Sequence, residues 1–257
     1  DLANVPIAIR SGTASLPVLA MLVAIADEQQ IPRKRLTGAV EGDPLRELVK
    51  FGTLRGSMAM HQRELIDMAV FCKRECPGIR PIMVNSHTWH NAGASITQEL
   101  AFTLATATEY HRLLTANGFT ADEASWAMSF SFSISTNIFP EIAKLRAARI
   151  LWAQISGALG ATQEGRAAFI HAKTSTFTKT VRDPWTNALR TTFEAFSAAV
   201  GGCDSLFVSP YDEAIGRPDE AGARLARNQQ LILREEGGIG RVVDPAGGSY
   251  YVEGLTD

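Results

Sequence analysis

The sequence predicts a parallel α/β domain of the (β/α)₈ TIM-barrel type, with about seven of the eight βα units present. Three observations lead there. Short apolar runs alternate with longer amphipathic stretches along the whole chain. A helical crossover between consecutive strands returns the chain to the same edge, so those strands run parallel. A length of 257 residues with 46% hydrophobic and 20% charged content is that of one such barrel, folded around a full core. A closed parallel barrel takes eight strands. Because the first strand candidate lies at residues 6–9, one βα unit is expected upstream, and residues 1–257 read as a single barrel domain excerpted from a longer protein.

The elements follow in order. Residues 6–9 are a strand, closed by Arg10, Ser11 and Gly12. Residues 16–30 are a helix with Ser15 as its cap and Pro17 in the first turn, where a missing N–H costs nothing. Residues 36–40 are the next strand. Asp43 before Pro44 starts a helix, since the carboxylate caps free N–H groups and proline suits the first helical position. Helices at 44–50 and 58–76 follow, the second stopped by Pro77 and Gly78. Residues 81–85 are a strand, 92–114 a long helix, and Asn117-Gly118 its end. Thr120 and Glu123 match a capping box. Residues 126–134 are a strand with Ser129, Ser131 and Ser133 on one alternating face. In the helix at 140–156, Ile142, Leu145, Ala148, Trp152 and Ile155 build one apolar stripe. A strand at 168–172, a helix from Asp183-Pro184 to Val200, a strand at 205–208 and a helix at 221–236 complete the alternation. Residues 241–243 are a last short strand.

Composition narrows the function classes. A net charge of −2 gives no footprint for nucleic acid or an anionic membrane. The basic cluster at Arg33, Lys34 and Arg35 reads as a solvated turn. Cys72, Cys76 and Cys203 are too few for a disulfide framework and carry no zinc spacing, so free thiols in a reducing cytoplasm are expected. No apolar run reaches the length of a membrane span, and residues 1–10 lack a signal-peptide pattern.

In parallel barrels the reactive groups sit at the C-terminal ends of strands. That rule selects Arg10, Ser11, Glu41, Asp43, residues 85–90, 129–135 and 171–175, then Ser209, Asp212, Glu213 and Asp244. Most have a plain structural reading. His87 and His90 have no third ligand close in sequence, so no metal is expected. Lys173 could form a Schiff base, but a surface position or a carboxylate partner suits it better. Asp43 is already used as a cap, which leaves Glu41 for acid/base work. Asp212 and Glu213 complement a helix dipole, and Gly247-Gly248 suits a turn. Pattern alone yields a barrel and its rim residues, with no reaction attached.

Several segments carry a resemblance: the Thr-Gly-Ala-Val-Glu-Gly-Asp run ending at Asp43, His-Asn-Ala-Gly-Ala at 90–94, and the Lys-Leu-Arg helix at 141–149 with Leu151 and Trp152. Asp-Pro-Trp-Thr-Asn at 183–187, residues 205–215, Ala-Arg-Asn at 226–228 and Asp-Pro-Ala-Gly-Gly-Ser-Tyr at 244–250 extend it. Together they resemble the acyl-CoA-binding barrel of the methylmalonyl-CoA mutase family. The resemblance implies a barrel that threads acyl-CoA through its centre. It also implies adenosylcobalamin held by a separate domain or partner, and a radical isomerisation whose chemistry the cofactor supplies.

Carried over position by position, the resemblance also implies a degenerate site. Catalytic members have glutamine where this chain has Glu41, a carboxylate-binding arginine at Phe51, and a tyrosine-histidine pair at His87 and Thr88. They have arginine at Ala127 and glutamine at Lys173. Ser129, His171, Ser205 and Glu213 match positions that contact thioester, carbonyl or nucleoside groups. Residues 85–91 and 183–190 look closer to the family's small, non-catalytic subunit, whereas Glu213 is more a feature of the catalytic chain. No Asp-x-His-x-x-Gly cobalamin segment occurs. The expected role is a non-catalytic barrel subunit supporting a catalytic partner, in the cytoplasm or an organelle matrix. The alternatives are an active mutase with a less acidic acyl substrate, with Glu41 or His87 as polar contacts, and a lysine-dependent barrel lyase built on Lys173.

Overall fold

A computed structural model describes residues 2–257. It is an α/β structure with strands β1 (Ile7–Ile9), β2 (Thr37–Val40), β3 (Gly78–Arg80), β4 (Ile82–Asn85), β5 (Met128–Ile134), β6 (Ile170–Thr174) and β7 (Ser205–Phe207). Between and after them lie helices α1 (Ser15–Glu28), α2 (Pro44–Phe51), α3 (Met58–Glu75), α4 (His87–Asn91), α5 (Ile96–Ala116), α6 (Ala121–Trp126), α7 (Ile138–Ala158), α8 (Asn187–Val200), α9 (Glu220–Glu235) and α10 (Tyr250–Thr256). The strands lie in two sheets, ordered β1-β2-β3 and β4-β5-β6-β7. The β1/β2, β2/β3 and β6/β7 pairs are parallel. Among the described residues the ladder does not close on itself, so the α/β class and the parallel strands are seen while a complete barrel is not.

The chain divides into two compact units: residues 1–88, 103–130 and 152–168, and residues 89–102, 131–151 and 169–257. In the first unit, Leu19, Leu22, Val23 and Ala26 present one face of α1 to Leu36, Val40, Met68, Cys72 and Ile79. The three- and four-residue steps of that face are why α1 forms there. Gly38 fits the β1/β2 contact because a Cβ at this positive-φ position would lie 1.9 Å from the Ile7 carbonyl oxygen. In the second unit, Ile142, Val200, Ala246 and Val252 form one cluster and Ala195, Val208 and Ala226 another.

Several expectations change. The strand read as 81–85 is two strands, because Pro81 has no N–H for a ladder and separates β3 from β4. Ser15 does not cap α1: a 3₁₀ turn, Gly12–Ala14, runs straight into the helix, whose N-cap Ala14 makes no side-chain bond. Residues 87–91 form a short helix of their own, and α5 begins at Ile96 rather than 92. Strand β6 reaches Thr174, so Lys173 lies within it. Trp126 belongs to α6, leaving β5 to start at Met128. The helix expected from Asp183 begins as a 3₁₀ turn, with Asp183 itself in the left-handed region. Residues 241–243 form no strand: Ile239–Arg241 is a 3₁₀ turn and Val243 is exposed. Glycines at 237, 238 and 240 favour turning there over extension.

The local signals at two helix starts hold in detail. Asp43 accepts from Arg46 N at 3.0 Å. At α6, Glu123 N donates to Thr120 Oγ1 at 3.2 Å and Thr120 N donates to Glu123 Oε2 at 3.0 Å, completing the capping box. All three cysteines are free thiols, and no helix of the described residues is long and apolar enough to cross a membrane. Replacing the cap, Thr120→Ala, is expected to lower stability by about 1 kcal/mol with Thr120→Ser near neutral, read from the urea midpoint at unchanged slope.

Candidate functional site

In the first unit the C-terminal ends of β1, β2 and β4 bring together Arg10, Glu41, Asp43 and Asn85, with Arg46 from α2. Glu41 is buried at 1% exposure, and its Oε1 accepts from Asn85 Nδ2 at 2.9 Å and faces Arg46 Nη1 at 3.3 Å. Arg10 Nε stands 3.8 Å from Glu41 Oε2, and Ser11 Oγ donates to the Glu41 carbonyl at 3.1 Å. Arg46 also pairs with Glu47. Burial raises the Glu41 carboxyl, and the two arginines and Asn85 oppose that rise.

Asp43 is more heavily engaged. Its Oδ1 accepts from Tyr110 Oη at 2.6 Å and from Arg46 N, and its Oδ2 accepts from Asn85 N at 3.0 Å. Tyr110 Oη in turn accepts from Leu45 N at 2.9 Å. Burial pushes the Asp43 carboxyl up to about 6 despite these donors. His87 is buried, and its backbone N–H donates to Asn85 Oδ1 at 2.9 Å. Ser129 is buried with its hydroxyl donating to the Ile82 carbonyl at 3.1 Å.

In the second unit, β6 and β7 set His171 opposite Ser205 and Lys173 opposite Phe207. His171 Nδ1 lies 2.8 Å from Ser205 Oγ. Lys173 Nζ donates to Glu213 Oε1 at 3.0 Å, so it has the carboxylate partner that its sequence position allowed. Four predicted residues therefore form two pairs, with Glu213 Oε2 left without a hydrogen-bond partner among the described residues. Asp244 is held by Arg146, which also meets Glu253 at 2.8 Å, and Asp212 Oδ2 braces its own loop through Asp219 N.

Sequence reasoning missed a buried network close by. Lys144 Nζ lies 2.6 Å from Glu141 Oε2 and 3.0 Å from Glu99 Oε2 and donates to the Ser133 carbonyl. Burial opposes its charge, but the two carboxylates more than offset this and hold the amine above its ordinary value. His90 joins through Glu99 at 3.4 Å and through Ser175 Oγ at 2.7 Å. A lysine between Ile142 and Leu145, on the buried side of an apolar stripe, is the signal that could have found it. No group of three His, Cys, Asp or Glu side chains among the described residues is placed to hold a metal.

The sequence profile described as methylmalonyl-CoA mutase matches residues 1–257. The chain belongs to the methylmalonyl-CoA mutase family. It is 40% identical to a methylmalonyl-CoA mutase of Cereibacter sphaeroides over 99% of this chain and 36% of that protein. It is 39% identical to a methylmalonyl-CoA mutase small subunit of Streptomyces virginiae, over 98% of this chain and 40% of that protein. With the mitochondrial methylmalonyl-CoA mutase of Homo sapiens the identity is 37%, over 95% and 33%. The chain thus spans between about a third and two fifths of the length of these relatives.

The raised Asp43 carboxyl carries a pH signature. A group protonated more readily in the fold than in the unfolded chain adds stability below its unfolded value and loses it as pH rises through its folded one. Relative to Asp43→Asn, the wild type is expected to lose up to about 3 kcal/mol of unfolding free energy between pH 4 and 7. Paired urea titrations across that range check it, and a pH-independent difference contradicts the raised value.

Proposed function

We propose that this chain is the acyl-CoA-binding barrel of an adenosylcobalamin-dependent acyl-CoA mutase, and that it acts as the non-catalytic subunit beside a catalytic partner. Residues 1–257 then belong to one barrel domain, with cobalamin held by a separate domain or by the partner. Cytoplasm or an organelle matrix is the matching compartment. The observation that supports the reading is that several of the polar residues at the positions of interest already have partners within the fold. A ligand site needs polar groups left open for the ligand. Here Glu41 is held by Asn85 and Arg46, Lys173 by Glu213, His171 by Ser205, and Ser129 by a backbone carbonyl.

Two further points support it. A relative at 39% identity is itself a small subunit. The positions that would meet adenosylcobalamin do not fit that group well: His87, buried at the start of α4, stands where the resemblance places a tyrosine, and Thr88 where it places the histidine. Such a cofactor supplies radical chemistry when bound, and no step is assigned to this chain's residues through it.

One observation favours an active mutase with a less acidic acyl group. Phe51 is 60% exposed at the end of α2, an apolar surface where the family resemblance places a carboxylate-binding arginine. An apolar acyl chain would suit that ring, and an arginine there would suit a carboxylate through a bidentate pair.

Isomerisation of acyl-CoA by the full-length protein, with adenosylcobalamin and with or without a co-expressed catalytic partner, separates the two. The expected result is turnover only with the partner, unchanged by Ser129→Ala or Ser205→Ala in this chain; turnover without the partner overturns it. In the second reading Phe51→Arg shifts kcat/KM toward carboxylated acyl-CoA by about tenfold, the worth of one charge-assisted pair. In the first it leaves selectivity unchanged.

A further inference from the structure

The first unit carries a cleft of about 340 Å³ that the strand-end clusters do not use. It reaches Pro81 and Ala127, the residues preceding β4 and β5, and so lies at the opposite end of β4 from Asn85. Its interior is made by small side chains: Ala69, Cys72 and Ala127 are each at most 4% exposed. Phe119 and Trp126 supply aromatic surface, the first buried and the second 38% exposed at the rim.

The polar groups at the rim cancel. Lys73 Nζ lies 2.6 Å from Glu123 Oε1 and 5.4 Å from the centre of the Phe119 ring. Burial pushes the Cys72 thiol up to about 12, so it stays protonated and packs as a soft apolar group. A charged ligand would find no unpaired counter-charge among these groups, whereas a flat uncharged ring would meet two aromatic side chains and a sulfur.

Size and composition both matter. Binding clefts of roughly 300–1,000 Å³, mostly apolar with a few placed polar groups, are the ordinary small-molecule sites of proteins. An apolar cavity of about 150 Å³ already accommodates benzene, so this one has room for two fused rings. Longer side chains at Ala69 or Ala127 would fill the space, and the chain carries neither.

We propose that the cleft between α3 and α6 is a binding site for a small, uncharged, fused-ring aromatic molecule, separate from the strand-end clusters. Indole is the probe. With the full-length protein, indole at ten times its Kd is expected to raise Tm by roughly 3 °C. Ala69→Phe, which occupies the cleft, is expected to abolish that rise while keeping its own Tm at or above the wild-type value. Ala127→Leu is a second filling variant should Ala69→Phe fail to fold. No rise in the wild type up to the solubility of indole overturns the site. So does a rise of wild-type size in either filled variant that folds, since indole would then be bound elsewhere.

Discussion

The first unit depends on one buried carboxylate. Asp43 caps α2 through Arg46 N, receives the Tyr110 hydroxyl from α5 and receives Asn85 N from the end of β4. A single side chain thereby joins the end of β2 to two helices and a neighbouring strand. Burial raises its carboxyl, which means the fold holds the charge at a cost that the three donors reduce without removing. Asn85 then has a fixed backbone, and its amide is aimed at Glu41. The placement of Glu41 follows from that of Asp43, two residues on.

The second unit solves a similar problem with ion pairs. Lys144 sits with Glu99 and Glu141, Lys179 with Glu194, and Lys173 with Glu213. Buried pairs of this kind add little net stability against an apolar core, yet removing one partner leaves a stranded charge worth roughly 3–5 kcal/mol. They act as locks on position: each lysine has one arrangement in which its carboxylates are met. His90 and Ser175 are tied into the Glu99 cluster, so the ends of β6 and α4 inherit that rigidity.

The two solutions share a consequence for function. Parallel α/β barrels carry their reactive groups at the C-terminal strand ends, and in this chain Glu41, Asp43 and Lys173 already meet partners from the fold. Internal pairing of this kind holds these side chains in place, while Phe51 at the end of α2 stays exposed.

The alternation of strands and helices, the Asp43-Pro44 start, the Thr120–Glu123 capping box and the apolar stripe of α7 were all legible in the sequence. Each is decided by residues within about four positions of one another, where backbone donors and helical periodicity act. The family, too, was legible from short runs of residues. Local order also misled: Pro81 split one apparent strand, and valines at 242 and 243 read as a strand where glycines turn the chain. The pairings at the site belong to the tertiary structure. Glu41 with Asn85, Asp43 with Tyr110, Lys173 with Glu213 and Lys144 with Glu99 join residues 40 to 67 positions apart. Whether a buried charge is open to a ligand or already answered depends on which chain segments the fold brings beside it, and no local rule encodes that.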